Sequence, residues 1–258
     1  YRLGGKLDAE IPRFSTGIDD FDNAIGGGMP RGRLVELYGA YASGKTSLAY
    51  YLLSRVEFGL FIDLEGSFDA GRARLFGCVN EKLIIRRPEW AEQALETIIT
   101  FADGGIPLIV VDSVAALIVH KEFDERDVEK QVGIGMIANI LSRKLPKILS
   151  VCGKSGTTII FVNQVRDNIG GFIWSDPYIT PGGHALKHFS SLRLMIARKQ
   201  WLESSKFGRF GQISKVKIVK SKICAPFKEF ELPLVFHLGF VSHDELKSIR
   251  KDVGAEQE

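Results

Sequence analysis

The chain of 258 residues has little cysteine: Cys78, Cys152 and Cys224 lie far apart and at no ligand-like spacing. That argues against a disulfide framework or a cysteine-built zinc site, and predicts reduced thiols in a cytoplasmic protein. Long hydrophobic runs are also missing. Apolar stretches such as Pro107–Val111 and Ile159–Val162 are too short to span a bilayer, so no membrane partner is expected. No N-terminal stretch has the layout of a signal peptide, and no repeat or low-complexity tract is evident. Neither sign of charge dominates, since 34 Lys and Arg face 31 Asp and Glu.

What is present fits one large α/β domain with small appendages: 45% hydrophobic and 25% charged residues. The charge is unevenly spread. Between Lys187 and Lys222 ten basic residues (Lys187, Arg193, Arg198, Lys199, Lys206, Arg209, Lys215, Lys217, Lys220 and Lys222) accompany the single acid Glu203. Such a block suits a polyanionic partner or a solvated strand face.

Short apolar strands alternate with helical segments, the pattern of a mostly parallel sheet covered by helices. Strands are expected at 33–38, 60–63, 83–85, 108–112, 158–163, 192–197 and 216–219. Trp90, Ala94, Leu95, Ile98 and Phe101 fall at helical spacing within Glu89–Phe101. A longer helix is expected over about Val128–Val151, kinked or broken at Pro146. After Ser190 strands follow one another, which predicts an antiparallel extension. Two polar or glycine-rich loops, His120–Gln131 and Arg166–Gly183, follow strand ends, where open α/β sheets bind ligands.

Gly39-Ala40-Tyr41-Ala42-Ser43-Gly44-Lys45-Thr46 fits the phosphate-binding loop G-x-x-x-x-G-K-[ST], between a strand and the helix starting at Ser47. Backbone N–H groups and the helix N-terminus would surround a polyphosphate. Lys45 would add charge beside the outer phosphates, and the Thr46 hydroxyl would ligate Mg²⁺. Leu108–Asp112 is an apolar strand ending in an acid that would hold the metal opposite Thr46. A second strand ends at Asp63-Leu64-Glu65, where Glu65 is the candidate to orient an attacking water and Asp63 its competitor. A third ends at Asn163-Gln164-Val165-Arg166. An amide there can sense a γ-phosphate and couple it to the following loop.

These segments resemble the bacterial RecA recombinases in order along nearly the whole chain. The resemblance includes Gly26–Arg33, Tyr38–Thr46, Phe61–Glu65, Val110–Leu117 and Asn163–Arg166. Its most specific parts are Gly182-Gly183-His184-Ala185-Leu186-Lys187 and Lys220–Lys228. It implies a RecA-like P-loop core with a β-rich C-terminal extension, and an ATP- and Mg²⁺-dependent filament on single-stranded DNA. That filament would pair homologous duplex DNA in recombinational repair. By position, Gly39–Ser47, Asp69 and Arg72 bind nucleotide, Thr46 and Asp112 the metal, Lys45, Glu65 and Gln164 serve catalysis, and Lys220 and Lys222 reach a neighbouring subunit's nucleotide.

The segments 120–131 and 166–183 correspond to the DNA loops, with Arg166, Gly170, Gly171, Phe172, Trp174, Gly182 and Gly183 as contacts. Arg166 brings charge, the glycines let backbone approach phosphate, and the rings can stack on bases. Departures from the pattern are Tyr41 in place of an acid, Arg72 in place of an adenine-stacking aromatic, His188 at a cross-subunit aromatic contact, Asp167 and Asn168 in the second loop, and Pro146. The resemblance lacks the family's N-terminal helix and C-terminal domain. It divides the chain into a leading segment 1–32, a core 33–240 and a short helical tail 241–258. The alternative expectation is an accessory nucleotide-binding protein that forms no active filament.

Overall fold

The computed structural model describes residues 10–78, 80–119, 133–167 and 178–254. Strand β1 (Arg13–Phe14) pairs antiparallel with β2 (Met29–Pro30) around helix α1 (Asp19–Ala24). Phe21 of α1 anchors this leading segment, with its ring 4.8 Å from that of Phe230. The Arg13 guanidinium adds hydrogen bonds to the carbonyls of Ile25, Gly28 and Ile223.

Strand β3 (Leu34–Gly39) is buried at every residue and leads into α2 (Lys45–Leu53). Then follow β4 (Gly59–Asp63), α3 (Ala70–Leu75), β5 (Leu83–Arg86), α4 (Ala91–Asp103) and β6 (Leu108–Asp112). Helix α5 (Gly133–Ser155) precedes β7 (Thr158–Gln164), the short pair β8 (Arg166–Asp167) and β9 (Tyr178–Ile179), and α6 (Gly183–Phe189). The chain continues through β10 (Leu192–Ser204), β11 (Gly208–Ser221), β12 (Glu229–Val235), β13 (Gly239–Phe240) and α7 (His243–Asp252).

Among the described residues the central sheet has nine strands in the order β13-β12-β11-β10-β3-β7-β6-β4-β5. From β10 to β5 all neighbours are parallel; from β10 to β13 they are antiparallel. This is the mostly parallel, helix-flanked sheet of a RecA-like core with a β-rich extension. The central strands carry apolar side chains on both faces because helices cover both. Leu37, Val110 and Val162 pack with α2, while Leu34, Ile109 and Phe161 pack with α4 and α5.

Two local expectations change. Helix α5 does not end at Pro146 but runs on to Ser155. Leu141, Leu145, Ile148 and Cys152 of this helix are buried in one cluster, whereas Ser142 and Pro146 are exposed. Water can serve the carbonyl that proline leaves without a donor, and the packing of the apolar face offsets the lost bond. The strands after Ser190 are also longer than their apolar centres: β10 and β11 reach 13 and 14 residues.

Part of the basic block is answered by acids, Glu229 and Glu231 from outside it and Glu203 from within. Lys199 bonds Glu231 at 2.5 Å, Lys215 and Lys217 both face Glu229, and Arg209 meets Glu203 at 2.5 Å. Antiparallel register brings β12 acids beside β11 lysines. That part of the stretch is therefore a strand face with its own counter-ions.

Candidate functional site

Parallel register sets the carboxyl ends of four strands at one level. Gly39 of β3 lies opposite Gln164 of β7, and Asp63 of β4 lies opposite Asp112 of β6. Between β3 and α2 the loop turns through positive φ at Ala42 (54°) and Gly44 (99°). A Cβ on Gly39 would stand 2.0 Å from the Ile196 carbonyl oxygen, so the first glycine lets β10 close on β3. Gly44 caps α2 with no side-chain bond, so the first-turn amides keep their donors available.

The polar groups converge here. Lys45 is buried, and its Nζ donates to the Ala40 carbonyl at 2.7 Å. Thr46 Oγ1 donates to Asp112 Oδ2 at 2.7 Å. Glu65 Oε1 accepts from Gln164 Nε2 at 3.0 Å and from the Ser113 hydroxyl. Asp63 is committed elsewhere: it accepts the backbone N–H groups of Ser67 and Phe68 and the Arg87 Nε at 2.8 Å. Of the two acids at the end of β4, Glu65 is the one facing the cavity.

Burial raises the Asp112 carboxyl to about 6, despite the Thr46 hydrogen bond, and the Glu65 charge pushes the same way. Burial likewise lowers the Lys45 ammonium, against the attraction of Asp112 and Glu65. A hydroxyl and a carboxylate 2.7 Å apart suit a small hard cation that keeps part of its water shell. The Ser43 hydroxyl oxygen is buried without a hydrogen-bond partner, as a loop built around a further polar group would leave it. These residues therefore fit a Mg²⁺-bound polyphosphate. Among the described residues no cluster of three His, Cys, Asp or Glu makes a metal site of its own.

The remaining expected residues are spread out. Asp69 caps α3, accepting the Arg72 N–H at 3.0 Å, and Arg72 Nη2 reaches Ser47 Oγ at 3.4 Å; both residues line the cavity. Tyr41 lines it too, 95% exposed. Lys220 and Lys222 are not among the cavity-lining residues. Lys220 donates to the carbonyls of Lys187 and His188 at 2.5 and 2.8 Å, and Lys222 to that of His188 at 2.9 Å, at the C-terminal end of α6.

Arg166 lies in β8, paired with Ile179. Gly182 caps α6, and a Cβ on Gly183 would stand 2.8 Å from that of Ala138 on α5. Gly170, Gly171, Phe172 and Trp174, and the segment 120–131, lie outside the described residues. The sequence reading missed Ser113 as a partner of Glu65. It also missed Trp201, Gln212, Leu234 and Phe236, which line the far side of the cavity. No motif marks those four. They arrive through the pairing of β10, β11 and β12, at separations no local pattern reports.

The profile of the RecA N-terminal domain matches residues 1–241. Among curated relatives, Protein RecA of Helicobacter acinonychis (strain Sheeba) is 39% identical over 251 residues, 95% of this chain and 72% of the relative. Protein RecA of Mycoplasma mobile is 40% identical over 243 residues, covering 92% and 72%. That of Desulforapulum autotrophicum is 36% identical over 262 residues, covering 98% and 74%.

Proposed function

The chain belongs to the RecA family, and from that membership we propose that it is a DNA-dependent ATPase acting in recombinational repair. It binds single-stranded DNA as a filament and pairs it with homologous duplex. The observation that carries the hydrolytic reading is the pairing of Glu65 with Gln164 at 3.0 Å, beside the Thr46–Asp112 pair.

Lys45 and the amides of 39–47 hold the triphosphate, and Thr46 and Asp112 hold Mg²⁺, which supplies charge neutralisation at the phosphates. The Glu65 carboxylate accepts the proton of the attacking water. Gln164, which donates to the same carboxylate, would exchange that partner for the γ-phosphate. Gln164 lies two residues before β8, so its change of partner is passed to the segment that carries Arg166, Gly170, Gly171, Phe172 and Trp174. Lys220 and Lys222, remote from their own subunit's loop, serve the nucleotide of a neighbour.

The test is ATP turnover with and without single-stranded DNA. Turnover should rise on adding DNA, the stimulation should fade with salt as phosphate contacts are screened, and Lys45→Ala should abolish turnover. Turnover indifferent to DNA across a range of salt and protein concentrations would end the recombinase reading.

A further inference from the structure

Among the described residues Glu65 accepts two hydrogen bonds, and both end on Oε1: one from Gln164 Nε2 at 3.0 Å, the other from the Ser113 hydroxyl. Its second oxygen, Oε2, takes none of them and is the one left to accept a proton from water.

The two donors are held very differently. Gln164 is exposed and ends β7, two residues before β8. In the hydrolytic reading it leaves Glu65 for the γ-phosphate. Ser113 cannot follow. It is 1% exposed, between Asp112 and Val114 at 3% and 0%. Its carbonyl accepts the Ala116 N–H at 3.1 Å, which closes the short turn Val114–Ala116. Just before it, the Asp112 carbonyl accepts the Leu64 N–H at 2.8 Å. That bond carries the parallel register of Asp63 with Asp112 one step further and brings Glu65 beside Ser113.

Glu65 is a long side chain on an exposed turn, free to change rotamer unless something holds it. Lys45 attracts it through space, but the Lys45 Nζ donates to the Ala40 carbonyl. Once Gln164 has moved, the Ser113 hydroxyl is the remaining bond to the carboxylate among the described residues. A general base must lie within hydrogen-bond reach of its water, and a hydrogen bond to an ionised acceptor is strong enough to keep it there.

We propose that Ser113 is a positioning residue for hydrolysis: its hydroxyl holds Glu65 Oε1 while Gln164 is engaged by the γ-phosphate, and so keeps Oε2 on the attacking water. In that step the water oxygen bonds to the γ-phosphorus, the bond to the bridging oxygen of ADP breaks, and the water proton passes to Oε2. The assignment rests on the hydrolytic reading above. It separates Ser113 from the metal, since its hydroxyl is engaged by Glu65 while Asp112 and Thr46 bond each other. Because Glu65 is exposed, Ser113→Ala strands no buried acceptor.

The test is a double-mutant cycle on the full chain: wild type, Ser113→Ala, Glu65→Gln and the double variant. Single-turnover ATP hydrolysis is followed with protein in excess and with Mg²⁺ and single-stranded DNA present, beside calorimetric ATP affinity and thermal melts. Ser113→Ala should lower the rate roughly ten- to a hundredfold, the scale of a misplaced catalytic group, with ATP affinity and Tm unchanged. In the Glu65→Gln background it should lower the rate no further, because the hydroxyl acts through the carboxylate. A residue that only supports the fold would give the same loss in both backgrounds, and that result overturns the assignment. An unchanged rate in Ser113→Ala overturns it too, as does weakened ATP binding, which would put the hydroxyl on the nucleotide or its metal. Wild type that does not hydrolyse ATP removes the hydrolytic reading and this assignment with it. Wild type that hydrolyses ATP beside an indifferent Ser113→Ala removes the assignment alone.

Discussion

Glu36 lies in the middle of β3, a strand otherwise apolar, and is fully buried. Its carboxylate accepts from Arg193 Nε at 2.5 Å and from Asn163 Nδ2 at 3.0 Å, joining β3 to its neighbours β10 and β7. Arg193 is 7% exposed and stacks 4.7 Å from the Tyr38 ring. Glu36→Gln keeps the volume and removes the charge, which leaves a guanidinium buried without its counter-ion. Removing one member of a buried pair costs about 3–5 kcal/mol. The guanidinium keeps its contact with the Tyr38 ring and Glu36→Gln leaves an amide oxygen able to accept from it, which puts the expected loss at the lower end of that range, about 3 kcal/mol. For a chain of this length that lowers Tm by roughly 6–12 °C. Replacing both charges, as Glu36→Leu with Arg193→Leu, should recover most of the loss, because no buried charge is then stranded. Thermal melts followed by circular dichroism, with urea titrations for the free energies, measure all three proteins. A Glu36→Gln loss below about 1 kcal/mol, or a double variant less stable than Glu36→Gln, would refute the reasoning.

Glu65→Gln should lower kcat by roughly 10²–10⁴, the scale of a lost general base, and change ATP affinity little; steady-state rates and direct binding separate the two. Gly39→Ala should destabilise by at least about 3 kcal/mol, since its Cβ would stand 2.0 Å from the Ile196 carbonyl oxygen. Gly153→Ala, on an open face of α5, should stabilise by about 0.8 kcal/mol, so paired melts should move in opposite directions. Burial raises the Cys78 thiol to about 11 and that of Cys152 to about 12, so both stay protonated at pH 8 in the folded protein. A thiolate-selective reagent should then modify Cys224 alone in native protein and all three cysteines in urea. Raising the pH toward 11 should bring in Cys78 before Cys152.

Asn163 illustrates why part of the site could not be read ahead of the fold. In sequence it is a polar residue ending an apolar strand, beside the more conspicuous Gln164. In the fold its side chain donates to Glu36 and to the Pro181 carbonyl at 2.8 Å, and its Oδ1 accepts the Gln164 N–H at 3.0 Å. It thus ties the strand end carrying Gln164 to the segment leading into α6. Asp63 and Glu65 show the same limit. Both stand at the end of one apolar strand, and the Arg87 bond that helps occupy Asp63 comes from 24 residues away, outside any local motif.

Local chemistry by itself determined the strand–loop–helix around Gly39–Thr46, the acid ending β6 and the alternation that makes a parallel sheet. Each depends on residues a few positions apart: glycines that turn, an apolar run that enters the core, a polar residue where the strand leaves it. Helix α5 passed Pro146 because its apolar face had a core to cover. Lys215 and Lys217 of the basic block found Glu229 because β12 folds back on β11. Trp201 and Phe236 met at the cavity because three antiparallel strands extend the sheet beside the phosphate loop. Those outcomes belong to tertiary structure, since each depends on partners distant in the chain whose distance apart only packing sets.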